Sequence, residues 1–300
     1  MKNFISALPS TRPPFLLLAP LCVLLGNAIA QYHGAEFHGW HFLFACMGSV
    51  LSAVAVNTLN EYQDFHSGLD LITKRTPFSG GSGLLKQNSA LEKSVLSLFQ
   101  LALGSLFLIG IYFVYRFGLP MLTIGLLGLA VIITYTNTLN RHPWLCLISP
   151  GLGFALLMVL GSYITQGLTL NWQVLLIALI PFFTINNLLL VNQLPDIKAD
   201  QQVGRKHFAI YYSVNAAVIC FSVSAALALL LMAIALYLAV LPFKVIWLTP
   251  ILLLNFLAIP KLAKLKHDIA KHPQSMALNV VAANLLPLVL SVILLLNGPI

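Results

Sequence analysis

The sequence predicts an all-α, polytopic membrane protein with about nine transmembrane helices, arranged as two pseudo-repeated four-helix blocks plus one, in a single domain over residues 1–300. Three observations carry this. Of the 300 residues 59% are hydrophobic and only 8% are charged, against about 25% charged in a soluble chain. The apolar residues fall in charge-poor runs near the roughly 20 residues a helix needs to cross lipid. The runs are also apolar all round, as in Ala225-Ala226-Leu227-Ala228-Leu229-Leu230-Leu231-Met232, whereas a membrane barrel alternates apolar and polar residues in segments of about ten. Large water-soluble domains are excluded.

The first run, near 14–31, follows Lys2 and Arg12 and ends at Ala28-x-Ala30. That pattern also fits a signal peptide, but a retained helix gives a consistent alternation of sides. The second run lies near 40–59. The third and fourth, 94–115 and 118–137, are parted only by a turn at Arg116 to Pro120. The fifth and sixth cover 143–165 and 173–192, and the seventh 211–237. The eighth, 244–260, is short and contains Pro250, and the ninth is 276–297.

With the N-terminus in the cytoplasm, Lys2, Arg12, Lys74, Arg75, Lys86, Lys93, Arg141, Lys198, Arg205, Lys206, Lys261, Lys264, Lys266 and Lys271 are all cytoplasmic, leaving Arg116 and Lys244 outside. This is the positive-inside asymmetry. The net charge of +8 therefore reports topology in a cell (inner) membrane, not nucleic acid. Cys22, Cys46, Cys146 and Cys220 lie in apolar runs without CxxC spacing and read as packing residues.

Of eight acidic residues, five (Glu61, Asp64, Asp70, Asp196 and Asp200) lie in two segments after the second and sixth runs. Both face the cytoplasm in this topology. Ionisable residues at membrane depth are expensive and mark function by default. Asn60 and Asp64 are four residues apart, as are Asn192, Asp196 and Asp200, so on a helix each set occupies one face. Clustered carboxylates need neutralising cations. Hard oxygen donors suit Mg²⁺ or Ca²⁺, and Mg²⁺ commonly shares its shell with substrate phosphates, so a Mg²⁺-bridged diphosphate is the natural ligand. Lys74, Arg75, Lys198, Arg205 and Lys206 can meet the remaining phosphate charge.

Solvated carboxylates at helix ends are the alternative, and duplication argues against it. Each segment ends the second helix of a four-helix block, holds Asn-x-x-x-Asp, and is followed by Gly and then a basic residue; such repeats are known in transporters. After Arg75 comes Ser79-Gly80-Gly81-Ser82-Gly83, either an anion-binding nest of backbone amides or a flexible interhelical loop. No Gly-Lys-Ser/Thr closes it as a P-loop.

These two segments, after the second and sixth of nine helices, resemble the motifs of the UbiA-type intramembrane aromatic prenyltransferases. The first, Asn60-Glu61-Tyr62-x-Asp64-x-x-x-Gly68-x-Asp70, is similar to the longer form of the 1,4-dihydroxy-2-naphthoate prenyltransferase branch, which serves menaquinone synthesis. Two positions depart from the pattern. Glu61 stands where that branch usually has Asp, and Pro195 replaces the usual Arg of Asn-x-x-Arg-Asp. The resemblance implies Mg²⁺-dependent transfer of a polyprenyl group from its diphosphate to an aromatic quinone precursor.

It also implies metal ligation by Asn60, Glu61, Asp64, Asp70, Asn192, Asp196 and Asp200, with Asp64 and Asp196 central. Arg75, Lys198 and Arg205 would contact the diphosphate, with Lys74 and Lys206 beside them, and Asp64, Asp196, Arg75 and Lys198 would carry catalysis. The Tyr62 ring could favour an allylic cation. Tyr135 and Arg141 are candidate acceptor-side groups, or else an interfacial aromatic and a snorkelling arginine. The expected partners are a polyprenyl diphosphate, an aromatic acceptor and membrane lipid, with no nucleic acid and no obligate protein.

Other readings stay open at this point. One is the same superfamily with another acceptor: 4-hydroxybenzoate, homogentisate, haem or glycerol phosphate. Another is a secondary transporter with an acidic cation site, although such sites usually lie near the bilayer midplane. His33, His38 and His41, in one loop with Glu36 and Trp40, read as interfacial side chains. His66 and His207 read as solvated loop residues, with phosphate contact as the alternative. Asn186-Asn187 either line a cavity or bond between helices.

Overall fold

The computed structural model describes residues 2–299, with side chains from Phe4 onward; the Lys2 side chain, counted above among the cytoplasmic cations, lies outside them. Among the described residues there are no strands. Eight helices are long and apolar enough to cross a membrane: Pro13–Tyr32, Gly39–His66, Ser89–Phe117, Pro143–Thr165, Trp172–Asn192, Val214–Tyr237, Phe243–Lys271 and Pro273–Asn297. Leu119–Thr134 is shorter, rising about 24 Å at 1.5 Å per residue, and completes the expected nine as the fourth span.

Neighbouring spans pack in corresponding pairs. The first meets the second as the fifth meets the sixth, the second meets the third as the sixth meets the seventh, and the third meets the fourth as the seventh meets the eighth. The ninth closes the bundle on the first. The main core joins Leu25 and Ile29 of the first span, Val159 of the fifth, Ile177 of the sixth and Leu286 and Leu290 of the ninth. At Gly26 an added Cβ would stand 2.2 Å from the Val159 carbonyl oxygen. Only a glycine lets the first and fifth backbones approach so closely, the small-residue packing expected between membrane helices. The first span is thus built into the core of the fold. Spans three and four instead expose Leu101, Phe107, Leu108, Leu126 and Ile133, a surface suited to lipid.

Two details position the site. The second helix continues past residue 59 to His66, carrying the first motif on the helix itself. The sixth ends at Asn192, turns over 193–196, and resumes as a short helix at Ile197–Gln202. The second motif therefore does not occupy one helical face, because Pro195 has no N–H with which to continue the ladder. Asn186 accepts the Gly151 N–H at 2.7 Å and Asn187 donates to the Phe221 carbonyl at 3.0 Å, so the paired asparagines bond between helices. The Gly151 bond sits where the fifth span widens into a π-helical stretch, Gly151–Met158, after Pro150, a feature frequent at functional sites.

Candidate active site

The motif-bearing ends of the second and sixth spans converge on one cavity of about 300 Å³. Its mouth is polar, lined by Arg12, Asn57, Asn60, Asp64, Asp70, Asn140, Asn192, Asp196, Asp200 and Arg205. Its depth is mainly apolar, lined by Leu18, Val56, Ile132, Phe154, Met158, Ile185 and Val280, with Ser52, Ser149 and Asn284 as polar groups among them. Ala53, Val56, Asn57, Asn60 and Asp64 form the stripe i, i+3, i+4, i+7, i+11 that one helix face presents.

Arg205 joins the two motifs. Its Nη1 is 3.0 Å from Asp200 Oδ1, and its Nη2 pairs with Asp64 Oδ1. Burial works against the guanidinium charge, but Asp64 and Asp200 more than offset this and hold its pKa above the ordinary value. Asn60 donates to Asp64 Oδ2 at 3.0 Å and to Thr136 Oγ1 at 3.1 Å, while its oxygen accepts from Arg12 Nη2 at 2.8 Å. Arg12 adopts a left-handed φ of 53° just before Pro13, a conformation disfavoured for a non-glycine and sparse before proline. The Asn57 side chain helps to hold it by donating to the Thr11 carbonyl at 2.9 Å.

The glycine loop is not free: it is bonded to the protein's own carboxylates. Gly80 N–H and Ser79 Oγ donate to Asp196 at 3.1 and 3.4 Å. Ser82 N–H donates to Glu61 Oε2 at 3.1 Å, and Leu84 and Leu85 N–H to Glu61 Oε1 at 2.9 and 3.4 Å. The anions in the nest are the protein's own carboxylates.

The oxygen donors suit a hard divalent cation. Four aspartates share the mouth with two arginines, and the Asp70 Oδ2 and Asn192 Oδ1 atoms are buried without a hydrogen-bond partner. Burial, reinforced by Glu61 and Asp64, pushes Asp70 up to about 7. Burial and then Asp200 push Asp196 up to about 7, against the Gly80 N–H. A bound cation would relieve both. Among the described residues no three His, Cys, Asp or Glu converge tightly enough to hold one ion by themselves.

The sequence model of the UbiA prenyltransferase family matches residues 19–293. The chain belongs to that family. A 1,4-dihydroxy-2-naphthoate octaprenyltransferase of Bacillus subtilis is 29% identical over 221 residues, covering 73% of this chain and 69% of the relative. Another of that name, from Haemophilus influenzae, is 26% identical over 67% of each chain. Among solved structures, a UbiA homologue from Archaeoglobus fulgidus bound to DMAPP and Mg²⁺ superposes with a TM-score of 0.69 at 14% identity, over 97% of this chain and 99% of that one. The apo UbiA homologue from Aeropyrum pernix K1 gives 0.72 at 15%, over 94% and 97%. These two speak for the fold.

In this UbiA-family prenyltransferase, Asn60, Asp64, Asp70, Asn192, Asp196, Asp200, Arg205 and Tyr135 of the anticipated residues line the cavity. Glu61 does not; it lies behind the loop it holds. Tyr62 is about 200° round the helix from Asn60 at 100° per residue, so its ring stacks on His66 at 4.3 Å instead of facing the mouth. Lys74, Arg75, Arg141, Lys198 and Lys206 are exposed outside the cavity lining, because long cations at a water interface extend toward solvent. His207 is fully buried, its Nε2 3.3 Å from Asp200 Oδ2, contrary to the solvated reading. Arg12, Asn57, Asn140 and the Ser79-Gly80 contact were not anticipated. Arg12 had signalled only topology, and nothing local ties it to a motif 48 residues away.

Proposed function

We propose that this prenyltransferase moves a polyprenyl group from its diphosphate to 1,4-dihydroxy-2-naphthoate, with Mg²⁺ at the mouth and that mouth facing the cytoplasm. One observation supports it most: a cavity whose mouth joins carboxylates to two arginines and whose depth is mainly apolar, matching a diphosphate head on a hydrocarbon tail. The acceptor follows the names of the relatives, and the sidedness follows the distribution of Lys and Arg.

Asn60, Asp64, Asp70, Asn192, Asp196 and Asp200 would hold Mg²⁺, which supplies Lewis-acid stabilisation of the charge on the departing diphosphate. Arg12 and Arg205 add fixed positive charge at the same place, most valuable where charge develops. The carbon–oxygen bond from the allylic carbon to the diphosphate breaks, a bond to the acceptor ring carbon forms, and the naphthoate carboxylate leaves as carbon dioxide. Leu18, Ile132, Phe154 and Ile185 exclude water from the allylic cation.

The test is transfer of label from a radiolabelled prenyl diphosphate to lipid-soluble product in purified membranes, with dihydroxynaphthoate and hydroxybenzoate offered in parallel, with and without Mg²⁺. Mg²⁺-dependent product on dihydroxynaphthoate, lost in Asp64→Asn and Asp196→Asn, is expected. Product on hydroxybenzoate alone would overturn the acceptor assignment.

A further inference from the structure

We propose that Glu61 is a positioning residue: its carboxylate clamps the 79–85 loop across the cavity mouth and takes no part in holding metal. The proposal relies on the prenyl-diphosphate reading only for its kinetic consequence.

Glu61 is 1% exposed and both its oxygens are engaged. The three donors, the N–H groups of Ser82, Leu84 and Leu85, are backbone groups in buried or half-buried residues. A cation drawing the carboxylate away would strand the Ser82 and Leu85 N–H groups and leave Leu84 N–H only the Ser82 hydroxyl at 3.1 Å, and buried unpaired amides are strongly unfavourable. Position on the helix agrees. Asn60 and Asp64 face the cavity, and Glu61 is about 100° round from Asn60 and about 60° from Asp64. It lies toward the side where Tyr62 and Phe65 pack with Ala7 and Leu85.

The clamp sets what the loop presents to the site. Gly83 and Gly81 adopt φ of +65° and +69°, turning successive amides inward as L side chains rarely allow. With the Leu84 and Ser82 amides fixed on Glu61, Gly80 N–H reaches Asp196. A Cβ at Gly81 would stand 3.3 Å from both Arg12 Nη2 and Asp70 Oδ1. The loop therefore spans the gap between the motifs, bonded to Asp196 on one side and close to Arg12 and Asp70 on the other, and Glu61 decides its height over the mouth.

The experiment compares wild type, Glu61→Gln, Gly83→Ala, Asp64→Asn and Asp196→Asn as detergent-solubilised full chains. Glu61→Gln keeps the shape but turns an NH₂ group toward amide donors. Gly83→Ala strains the loop while leaving the carboxylate intact. Amide hydrogen exchange over 79–87 should accelerate at least about tenfold in both, the scale of a lost hydrogen bond to a charged acceptor. Mn²⁺ binding, followed by electron paramagnetic resonance with the metal alone, should fall less in both than in the two aspartate variants, because the loop reaches the proposed ligands only through Gly80 N–H on Asp196. KM for the prenyl diphosphate should rise more than kcat falls.

Mn²⁺ binding lost in Glu61→Gln as in Asp64→Asn, with 79–87 still protected, would overturn the clamp and make Glu61 a ligand. If wild type itself transferred no prenyl group, the proposed reaction would fall, while the exchange and Mn²⁺ results would still uphold or overturn the clamp.

Discussion

Replacing Arg205 with methionine removes a side chain that pairs with both motifs. The guanidinium is 14% exposed, and its partners Asp64 and Asp200 are 8% and 4% exposed, so neither carboxylate can turn to water when the partner is lost. Two hydrogen bonds to charged groups contribute about 1.5–3 kcal/mol each, and breaking a buried pair by removing one partner costs about 3–5 kcal/mol. Residual solvent access favours the lower end, about 3 kcal/mol. At roughly 2 °C per kcal/mol for a chain of this size, the metal-free protein should melt about 6 °C lower. Mg²⁺ should restore part of the loss, because the cation neutralises the same carboxylates. Thermal unfolding in detergent, with EDTA or Mg²⁺, checks this, and prenyl transfer should fall about a hundredfold. Arg205→Lys should rescue little, since a point charge cannot reproduce a two-armed fork. An Arg205→Met protein melting at the wild-type temperature in EDTA would refute the bridging argument.

Asp70 and Asp196 are pushed up to about 7. Their folded values exceed their unfolded values, so the stability they contribute to the metal-free protein is full below about pH 4 and is lost as pH rises through about 7. The melting temperature in EDTA should therefore fall between about pH 5 and 8, and Mg²⁺ affinity should rise over the same window as protons stop competing for the oxygens; a flat affinity profile would contradict this. Gly26→Val should destabilise the protein by more than about 3 kcal/mol, beyond ordinary overpacking, because the added carbon meets a backbone carbonyl; thermal unfolding reports it. Arg12→Ala should lower prenyl transfer about a hundredfold, whereas Arg141→Ala, exposed and outside the cavity, should change it less than about threefold.

Much of the architecture was legible because lipid imposes a simple rule: every crossing helix must be apolar for most of its length, and its backbone must bond within itself. The nine runs read from composition became eight long helices and one short one. The carboxylates stood out for the same reason, since eight acidic residues in 300 leave few places for charge to lie. What the sequence determined by itself was therefore class, span number, the two motifs and the chemistry of their oxygens.

Direction and long-range pairing belonged to the tertiary structure. Glu61 and Asp64 look equivalent in sequence and lie only about 60° apart round the helix, yet Glu61 is taken up by the loop amides and Asp64 by Arg205. Arg12 and Arg205 lie far from the first motif along the chain and meet it only because the first span is locked to the fifth and Pro195 turns the second motif back over the mouth. Spacing along a chain records which residues can share a face. Only packing in three dimensions decides which face is buried, and against which partner the charge is held.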